Sequence, residues 1–220
     1  MRPAAVPSPA TLGLTRPHAA QDIEQLGWKN PESADLLWTL AAVGDPDLAL
    51  NNLIRIYEQA PELDDAVRSN ETLRVRLFAL LGASTAFGGH LAAHPELWRE
   101  LEKPLPQPEE MLQNLLGAID AQPADFVHDV DRPDPACEDL SAAGTYRAGE
   151  GEHKQALRTT YRTLMMRIAA CDVAGTFHSR KGQTKLQPEV GFRQITALTT
   201  ALADAALTAS LACAVRTIYG

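Results

Sequence analysis

The sequence has no excess of basic residues, little cysteine and no unbroken apolar run long enough to cross a membrane. Its 28 acidic and 20 basic side chains give a formal net charge of -8, so no general basic surface is available for a nucleic-acid backbone. The three cysteines, Cys137, Cys171 and Cys213, suggest no disulfide framework and are typical of a reducing compartment. These absences predict a soluble, cytoplasmic protein that binds neither nucleic acid nor a membrane.

Proline, glycine and apolar spacing divide the chain into four segments. Residues 1–24 contain four prolines that interrupt any apolar stretch, which predicts a flexible tail rather than a secretion signal. Residues 25–121 place apolar side chains three and four positions apart, the spacing of a helical subdomain. Residues 122–152 are proline-rich and acidic, as in a linker or surface loop, and residues 153–220 return to helical spacing. The predicted fold class is therefore all-α, a bundle of helices.

Two predictions concern particular helices. The helix that begins near Asn70 is expected to break or bend at Gly88 and Gly89, because glycine disfavours a helix interior. The last helix, from about residue 189 to 219, combines one apolar stripe with leucines that lie off it. A helix that is apolar on more than one face is buried or sandwiched, so we expect it at the centre of the bundle. The stripe consists of Ile195, Leu198, Leu202, Ala205, Ala206, Ala209 and Cys213.

Two pairs of side chains have the spacing of metal ligands but a simpler structural explanation. His90 and His94 would lie on one face of a helix, yet Leu91 stands where a zinc protease needs glutamate, and no third ligand is indicated. Asp45 and Asp47 are better explained as a turn and a helix N-cap.

A third set of potential metal ligands is His128, Asp129 and Asp131. An Asp-x-Asp pair on an extended strand would point both carboxylates towards Mg²⁺. Here the pair sits in a proline-rich acidic stretch with no apolar strand or glycine-rich loop before it, which favours a solvated loop.

Two side chains could be nucleophiles. Ser84 follows Gly82 but lacks the second glycine of a nucleophile elbow and falls within a predicted helix, where a small packing residue is expected. Cys171 has no histidine near it in sequence to activate it. Neither is assigned a catalytic role.

Two groups of cations could bind phosphate. The series Arg158, Arg162 and Arg167 is typical of an ordinary solvated helix face. The cluster Arg180, Lys181 and Lys185 is the better anion candidate of the two, although a solubilising loop explains it better than an anion site does. No catalytic, cofactor-binding or metal-binding residue is therefore assigned within residues 1–220.

Four stretches of the chain match a known protein family in order and spacing over residues 25–220. They are Asp45-Pro46-Asp47-Leu48-Ala49-Leu50 with Leu53 and Arg55; Leu80-Leu81-Gly82-Ala83-Ser84-Thr85-Ala86 running into His94-Pro95-Glu96-Leu97-Trp98; Tyr161-Arg162 with Leu164, Arg167-Ile168-Ala169-Ala170 and Asp172; and Ile195-Thr196-Ala197-Leu198 with Leu202-Ala203-Asp204-Ala205-Ala206-Leu207. Together they resemble the N-terminal part of the bifunctional glutamine synthetase adenylyltransferase/adenylyl-removing enzymes.

The resemblance implies a large cytoplasmic enzyme that regulates nitrogen assimilation. One half of such an enzyme transfers AMP from ATP to a tyrosine of glutamine synthetase, and the other half removes it by phosphorolysis. ATP and Mg²⁺ are its implied cofactors, and glutamine synthetase and a PII-type signalling protein are its implied partners. By the same resemblance, this chain corresponds to the opening of the adenylyl-removing half.

The resemblance also implies where the chemistry lies. In the family the catalytic sheet follows the long alanine-rich helix and carries a glycine-rich strand and an Asp-x-Asp pair. Neither Asp129 and Asp131 nor Asp45 and Asp47 occupies that place, so no catalytic residue transfers to this chain. We therefore expect an inactive N-terminal fragment that binds neither ATP nor Mg²⁺ alone.

The alternative of a different class is a free-standing helical interaction module. The last helix discriminates between the two: a fragment should expose its apolar faces and self-associate, whereas a module should bury them and unfold as a monomer. A small hydrolase that uses Cys171 or the histidine pair ranks third.

Overall fold

The computed structural model of the protein describes residues 6–123, 146–176, 187–188 and 190–219. Its α-helices, numbered in chain order, are α1 (Ala19–Gln25), α2 (Ala34–Ala41), α3 (Pro46–Tyr57), α4 (Leu63–Ser69), α5 (Glu71–Leu81), α6 (Thr85–Ala93), α7 (Pro108–Gly117), α8 (Lys154–Ala174) and α9 (Phe192–Tyr219). Shorter 3-10 segments span Ala10–Leu12, Pro31–Ser33 and Pro95–Glu102. Strands β1 (Gln122–Pro123) and β2 (Tyr146–Arg147) pair antiparallel. The all-α prediction is confirmed, and the strand structure among the described residues is this two-residue ladder.

The chain divides into two compact units, each built from two separated parts of the sequence. Unit 1 comprises Met1–Leu105 and Met166–Gly191, and unit 2 comprises Pro106–Met165 and Phe192–Gly220. Helix α8 contributes its N-terminal part to unit 2 and its C-terminal part to unit 1. These units do not coincide with the predicted segments 25–121 and 153–220, because dividing a sequence into consecutive blocks cannot reveal units that are discontinuous in sequence.

The core of unit 1 surrounds Trp28. Its indole is fully buried, stacks on Phe78 with ring centroids 5.8 Å apart and meets Tyr57 edge-on at 5.9 Å. The indole N–H donates a hydrogen bond of 2.8 Å to Asp64, whose other carboxylate oxygen accepts from Arg68 Nε at 2.7 Å. A buried tryptophan normally needs such a polar partner, so this ring joins the residues after α1 to α3, α4 and α5.

The N-terminal residues are part of the folded structure from residue 6 onward. They form the Ala10–Leu12 segment and α1, and they bury Leu12, Leu14 and Ile23 in the core of unit 1. The prediction of a flexible tail for residues 1–24 is therefore wrong for residues 6–24. The prediction treated proline as a helix breaker, but Pro9 stands at the N-cap of a helical segment, where a missing N–H costs nothing.

The break between α5 and α6 lies earlier than expected. The helix direction changes by 118° between α5 and α6, around Gly82 and Ala83. Helix α6 starts after Ser84, whose hydroxyl accepts a hydrogen bond from Phe87 N at 3.3 Å. The prediction of a break at Gly88 and Gly89 is wrong, because both lie inside α6. The side-chain cap and the Gly82 turn determine where the helix restarts.

The Gly88 site explains why a glycine occurs inside α6. It faces Asn52 of α3, and a Cβ atom at this position would overlap the Asn52 side chain. Asn52 is itself buried and donates a 3.2 Å hydrogen bond to the carbonyl of Leu81. Gly88 therefore permits the close approach of α3 and α6, and no left-handed backbone is involved.

Unit 2 is held together by backbone hydrogen bonds as well as by side-chain packing. Ala148 N donates to the carbonyl of Ala212 at 3.1 Å, and Gly149 N donates to the carbonyl of Ile119 at 2.9 Å. The segment after β2 is thus attached both to α9 and to the end of α7. The linker was predicted over residues 122–152. Its residues 122–123 and 146–147 form β1 and β2, and residues 124–145 lie outside the described residues.

Helix α9 is buried on one side only in the described structure. The side that includes Leu198, Leu202 and Ala209 is buried, and the helix packs against α7 and β2. Three large apolar side chains are exposed: Phe192 by 84%, Leu207 by 69% and Ile218 by 71%. The expectation of a helix at the centre of a bundle is therefore wrong for this part of the chain, although the predicted apolar stripe is the face that packs.

The same helix is apolar and long enough, by length and composition alone, to cross a bilayer between Phe192 and Ile218. The sequence-based search for an unbroken apolar run missed it because threonines and Asp204 interrupt the run without removing its average apolar character. Core helices of water-soluble proteins share this composition, so it does not by itself indicate a membrane.

Candidate functional site

The two histidines predicted to share a helix face do so, but no metal site results. Their ring centroids are 5.3 Å apart, with His90 buried and His94 beside the carboxylate of Glu96 at 3.9 Å. His94 is the residue at which α6 ends. Within the described residues no three His, Cys, Asp or Glu side chains are grouped to hold a metal ion. This part of the chain therefore offers no ligand set for Mg²⁺ or zinc.

The carboxylates of Asp45 and Asp47 accept hydrogen bonds from backbone N–H groups. Asp45 caps α3 by accepting a 2.9 Å hydrogen bond from Leu48 N, which confirms the predicted N-cap. Asp47 binds the N-terminal segment: its carboxylate accepts from Thr15 N at 2.9 Å, from the Thr15 hydroxyl at 2.6 Å and from Arg16 N at 3.4 Å. Both carboxylates thus have structural partners.

The contacts of Asp47 perturb its ionisation. Partial burial raises its pKa, but the hydrogen bonds from Thr15 and Arg16 and the Arg16 charge outweigh this effect, so that the pKa of Asp47 lies below its usual value of 3.8. A carboxyl group whose pKa is lower in the folded than in the unfolded state stabilises the fold above the unfolded pKa. That contribution disappears as the pH falls through the folded pKa.

Replacing Asp47 with asparagine is expected to cost about 1 kcal/mol or less at neutral pH, since solvent screens a half-exposed group. The difference in free energy of unfolding between wild type and variant should shrink as the pH falls below 3.8. Urea unfolding followed by tryptophan fluorescence at several pH values measures it. Thr15→Val removes one donor only and should show part of the effect; a difference that does not change with pH would contradict this interpretation.

Neither candidate nucleophile is placed for catalysis. Ser84 is the N-cap of α6 rather than the helix-interior packing residue that was predicted. Cys171 is buried, and burial raises the pKa of its thiol although Arg76 and Arg167 act in the opposite direction. A thiol that stays protonated at neutral pH is a poor nucleophile, which argues against the hydrolase hypothesis.

The arginine series on α8 separates into two kinds. Arg158 and Arg162 are exposed, as an ordinary solvated face predicts. Arg167 is only 3% exposed, donates from Nη2 to the carbonyl of Pro104 at 2.7 Å and lies 3.9 Å from Glu100. The prediction is wrong for Arg167, whose guanidinium joins α8 to the segment that follows Pro95–Glu102.

Several sequence candidates lie outside the described residues. They are His128, Asp129, Asp131, Arg180, Lys181 and Lys185. Their predicted roles stay predictions.

Two further features belong to unit 2. One is the exposed apolar surface of α9 formed by Phe192, Leu207 and Ile218, called the α9 outer face below. Exposed apolar side chains on the last helix are what the fragment hypothesis expects. The other is a pocket between the start of α8 and the C-terminal third of α9, lined by both Lys154 and Arg216. The pocket escaped the sequence analysis because it depends on contacts between residues distant in sequence, which no local pattern reports.

Comparison with known proteins gives one consistent result. The chain is 45% identical over 98% of its length to the bifunctional glutamine synthetase adenylyltransferase/adenylyl-removing enzyme of Corynebacterium efficiens. It is 47% identical over 98% of its length to that of Corynebacterium glutamicum, and 40% identical over 96% to that of Nocardia farcinica. The chain spans about a fifth of the length of these relatives: 22%, 22% and 20%. No family model and no solved structure matches it.

Proposed function

This chain is homologous, over nearly all of its length, to a segment of the bifunctional glutamine synthetase adenylyltransferase/adenylyl-removing enzymes, and we propose that it forms part of such an enzyme. In this proposal the chain supports a nucleotidyltransferase site that other residues form, as the opening of the adenylyl-removing half. The near-complete alignment of the chain to about a fifth of each relative is the observation that carries the proposal.

Two structural observations support a scaffolding role. Both candidate nucleophiles have structural places, since Ser84 caps α6 and Cys171 is buried with the pKa of its thiol raised. The α9 outer face exposes Phe192, Leu207 and Ile218 along one side of the helix, about 16 to 22 Å apart, and in the proposed enzyme other residues would cover them. Unit 1, by contrast, buries an extensive core.

The wider activity is part of the same proposal. The whole enzyme would transfer AMP from ATP to a tyrosine of glutamine synthetase and remove it by phosphorolysis in the cytoplasm, with Mg²⁺ neutralising the phosphates. Its partners would be glutamine synthetase and a PII-type signalling protein, and it would act without nucleic acid or membrane. The described residues of this chain do not fit a Mg²⁺ site, so no step of the reaction is assigned to them.

The coding sequence provides the direct test of this proposal. Reading it past codon 220 should reveal a continuing frame that encodes an apolar strand, a glycine-rich turn and an Asp-x-Asp pair. A stop codon at that point would contradict the proposal and favour a free-standing helical interaction module.

The α9 outer face offers a physical test between the same two hypotheses. If this face is normally covered by other residues of a larger enzyme, the isolated chain should self-associate through it, and Leu207→Glu should shift the chain towards monomer. The physical reason is that a charge at the centre of an apolar contact must lose its hydration. Sedimentation velocity over a range of protein concentrations measures the change.

A matched control comes from the same helix. Gln194→Glu adds the same charge at an exposed position about 140° around the helix from Leu207, and it should leave association unchanged. A wild-type chain that stays monomeric at all concentrations and unfolds in one cooperative step would favour the interaction module instead.

A further inference from the structure

Unit 2 contains a pocket of about 330 Å³, near the lower end of the range for small-molecule sites. Its walls come from the turn before α8, the first residues of α8 and the C-terminal third of α9. The lining residues are Ala148, Gly151, His153, Lys154, Leu157, Ser210, Cys213, Arg216 and Thr217. Apolar, hydroxyl and basic groups are all present, and none of the described residues that line the pocket carries a carboxylate.

The basic groups of the pocket are available to a ligand. Lys154 has no hydrogen-bond or ion-pair partner within the described residues. Arg216 makes a 3.2 Å ion pair with Glu150, whose side chain is 91% exposed, and such exposed pairs contribute little stability. His153 Nε2–H donates to the carbonyl of Gly149 at 3.0 Å, which fixes the ring and leaves Nδ1 of the neutral imidazole as an acceptor for a protonated oxygen. Two cations and an imidazole therefore converge in a chain whose net charge is -8.

Further donors surround the same space. Helix α8 begins at Lys154, and its first intrahelical bond runs from Leu157 N to the carbonyl of His153. The N–H groups of the preceding first turn therefore have no carbonyl partner within the helix. Ser210 adds a hydroxyl from α9. Donors that converge from two helices suit a tetrahedral anion with several acceptor oxygens better than a flat carboxylate with two.

We propose that this pocket binds a small molecule through a phosphate group, held by Lys154 and Arg216 with His153 beside them. The inference rests on the pocket and its charges and is independent of the proposed function of the chain. Free phosphate and a small phosphate ester share this chemistry, and the volume admits either.

Titration of the 220-residue chain at constant ionic strength tests the site. Calorimetry with inorganic phosphate, glycerol phosphate and acetate should detect binding of at least one phosphate compound and weaker binding of acetate. Tighter binding of glycerol phosphate than of inorganic phosphate assigns an ester, and the reverse order assigns the free anion. Equal binding of acetate, or no binding of either phosphate compound, would overturn the proposal.

Three single substitutions distinguish the pocket from general attraction between charges. Lys154→Gln should weaken phosphate binding about tenfold, the effect of one charged hydrogen bond. Arg158→Gln removes an equal charge one turn further along α8, outside the pocket, and should leave the affinity within about twofold. Glu150→Gln should tighten binding about threefold, because it frees Arg216 from its exposed partner. Equal weakening by Lys154→Gln and Arg158→Gln would overturn the proposal.

Cys213 supplies a second, local readout. It lines the pocket and is half-buried. Because burial raises the pKa of its thiol, the reactive thiolate forms at alkaline pH. Alkylation by neutral iodoacetamide is therefore followed at alkaline pH by mass spectrometry. Phosphate at ten times its dissociation constant should slow alkylation of Cys213 by up to about tenfold, since only the free fraction reacts. Acetate at the same concentration and ionic strength is the control, and equal slowing of Cys213 alkylation by acetate would overturn the proposal.

Discussion

Replacing Gly88 with alanine is expected to lower the free energy of unfolding of unit 1 by about 1 to 3 kcal/mol, after subtraction of the roughly 0.5 to 1 kcal/mol by which alanine is favoured over glycine inside a helix. The added methyl group would overlap the buried side chain of Asn52, and an overpacked helix contact costs about 1 to 3 kcal/mol. Asn52 would also have to leave its 3.2 Å hydrogen bond to the carbonyl of Leu81, which costs about 1 kcal/mol more. Urea unfolding followed by tryptophan fluorescence measures the loss, because Trp28, Trp38 and Trp98, the protein's three tryptophans, all lie in unit 1.

The adjacent glycine is a matched control. A Cβ atom at Gly89 would meet nothing within 4 Å, and glycine inside a helix is less favourable than alanine by about 0.5 to 1 kcal/mol. Gly89→Ala should therefore stabilise unit 1 by that amount. If both variants changed stability in the same direction, the close approach of α3 and α6 at Gly88 would not be the reason for the glycine.

Replacing Arg167 with methionine is the second change with a large expected effect, a loss of about 2 to 4 kcal/mol in unit 1. Methionine keeps much of the buried volume, but the carbonyl of Pro104 loses its 2.7 Å donor and Glu100 loses a cation at 3.9 Å. Removing one partner of a buried charged contact is costly because the remaining groups stay desolvated without compensation. Arg167→Lys should recover little, since lysine cannot reproduce the planar set of donors.

The control for Arg167 is another arginine of unit 1. Arg55 is exposed on α3 and makes no side-chain hydrogen bond or ion pair within the described residues, so Arg55→Met should change stability by less than about 0.5 kcal/mol. The same fluorescence measurement reports both variants. A loss for Arg167→Met no greater than that for Arg55→Met would mean that the buried guanidinium contributes nothing net.

Local chemistry made much of the helical structure predictable. Asp45 before Pro46 marks the start of α3, because a carboxylate cap and a proline at the first helical position satisfy or remove the first free N–H groups. Asn70 marks the start of α5 in the same way, by accepting from Leu73 N at 3.0 Å. The apolar stripe of α9 was likewise evident from its spacing, and it is the face that packs.

The errors occur where a distant residue decides the local structure. Gly88 was interpreted from its own poor helix propensity, whereas its cause is Asn52, 36 positions away in another helix. Arg167 was assigned to a solvated face together with Arg158 and Arg162 because it lies off the apolar stripe of α8, yet it reaches a carbonyl 63 residues earlier in the chain. Propensity is a weak guide wherever tertiary packing imposes its own requirement.

The prolines near the N-terminus show the same limit. Their density suggested a tail, although Leu12 and Leu14 have a place in the core and Asp47 holds Thr15 and Arg16. The phosphate pocket could not be predicted for a related reason. Lys154 and Arg216 are unremarkable in sequence, and only the pairing of β2 and the packing of α9 bring them to one space.

The discontinuity of unit 1 has a consequence for the order in which the chain is made. Its core includes Met166, Ala170 and Ala174, which follow Leu105 by about 60 residues or more. At about 5 to 20 residues per second, a ribosome needs roughly 3 to 12 s to add that stretch. During this time the nascent chain holds most of unit 1 outside the exit tunnel while the apolar surface that receives these three side chains is uncovered. This interval is when the growing polypeptide is most exposed to aggregation with its neighbours and to capture by chaperones.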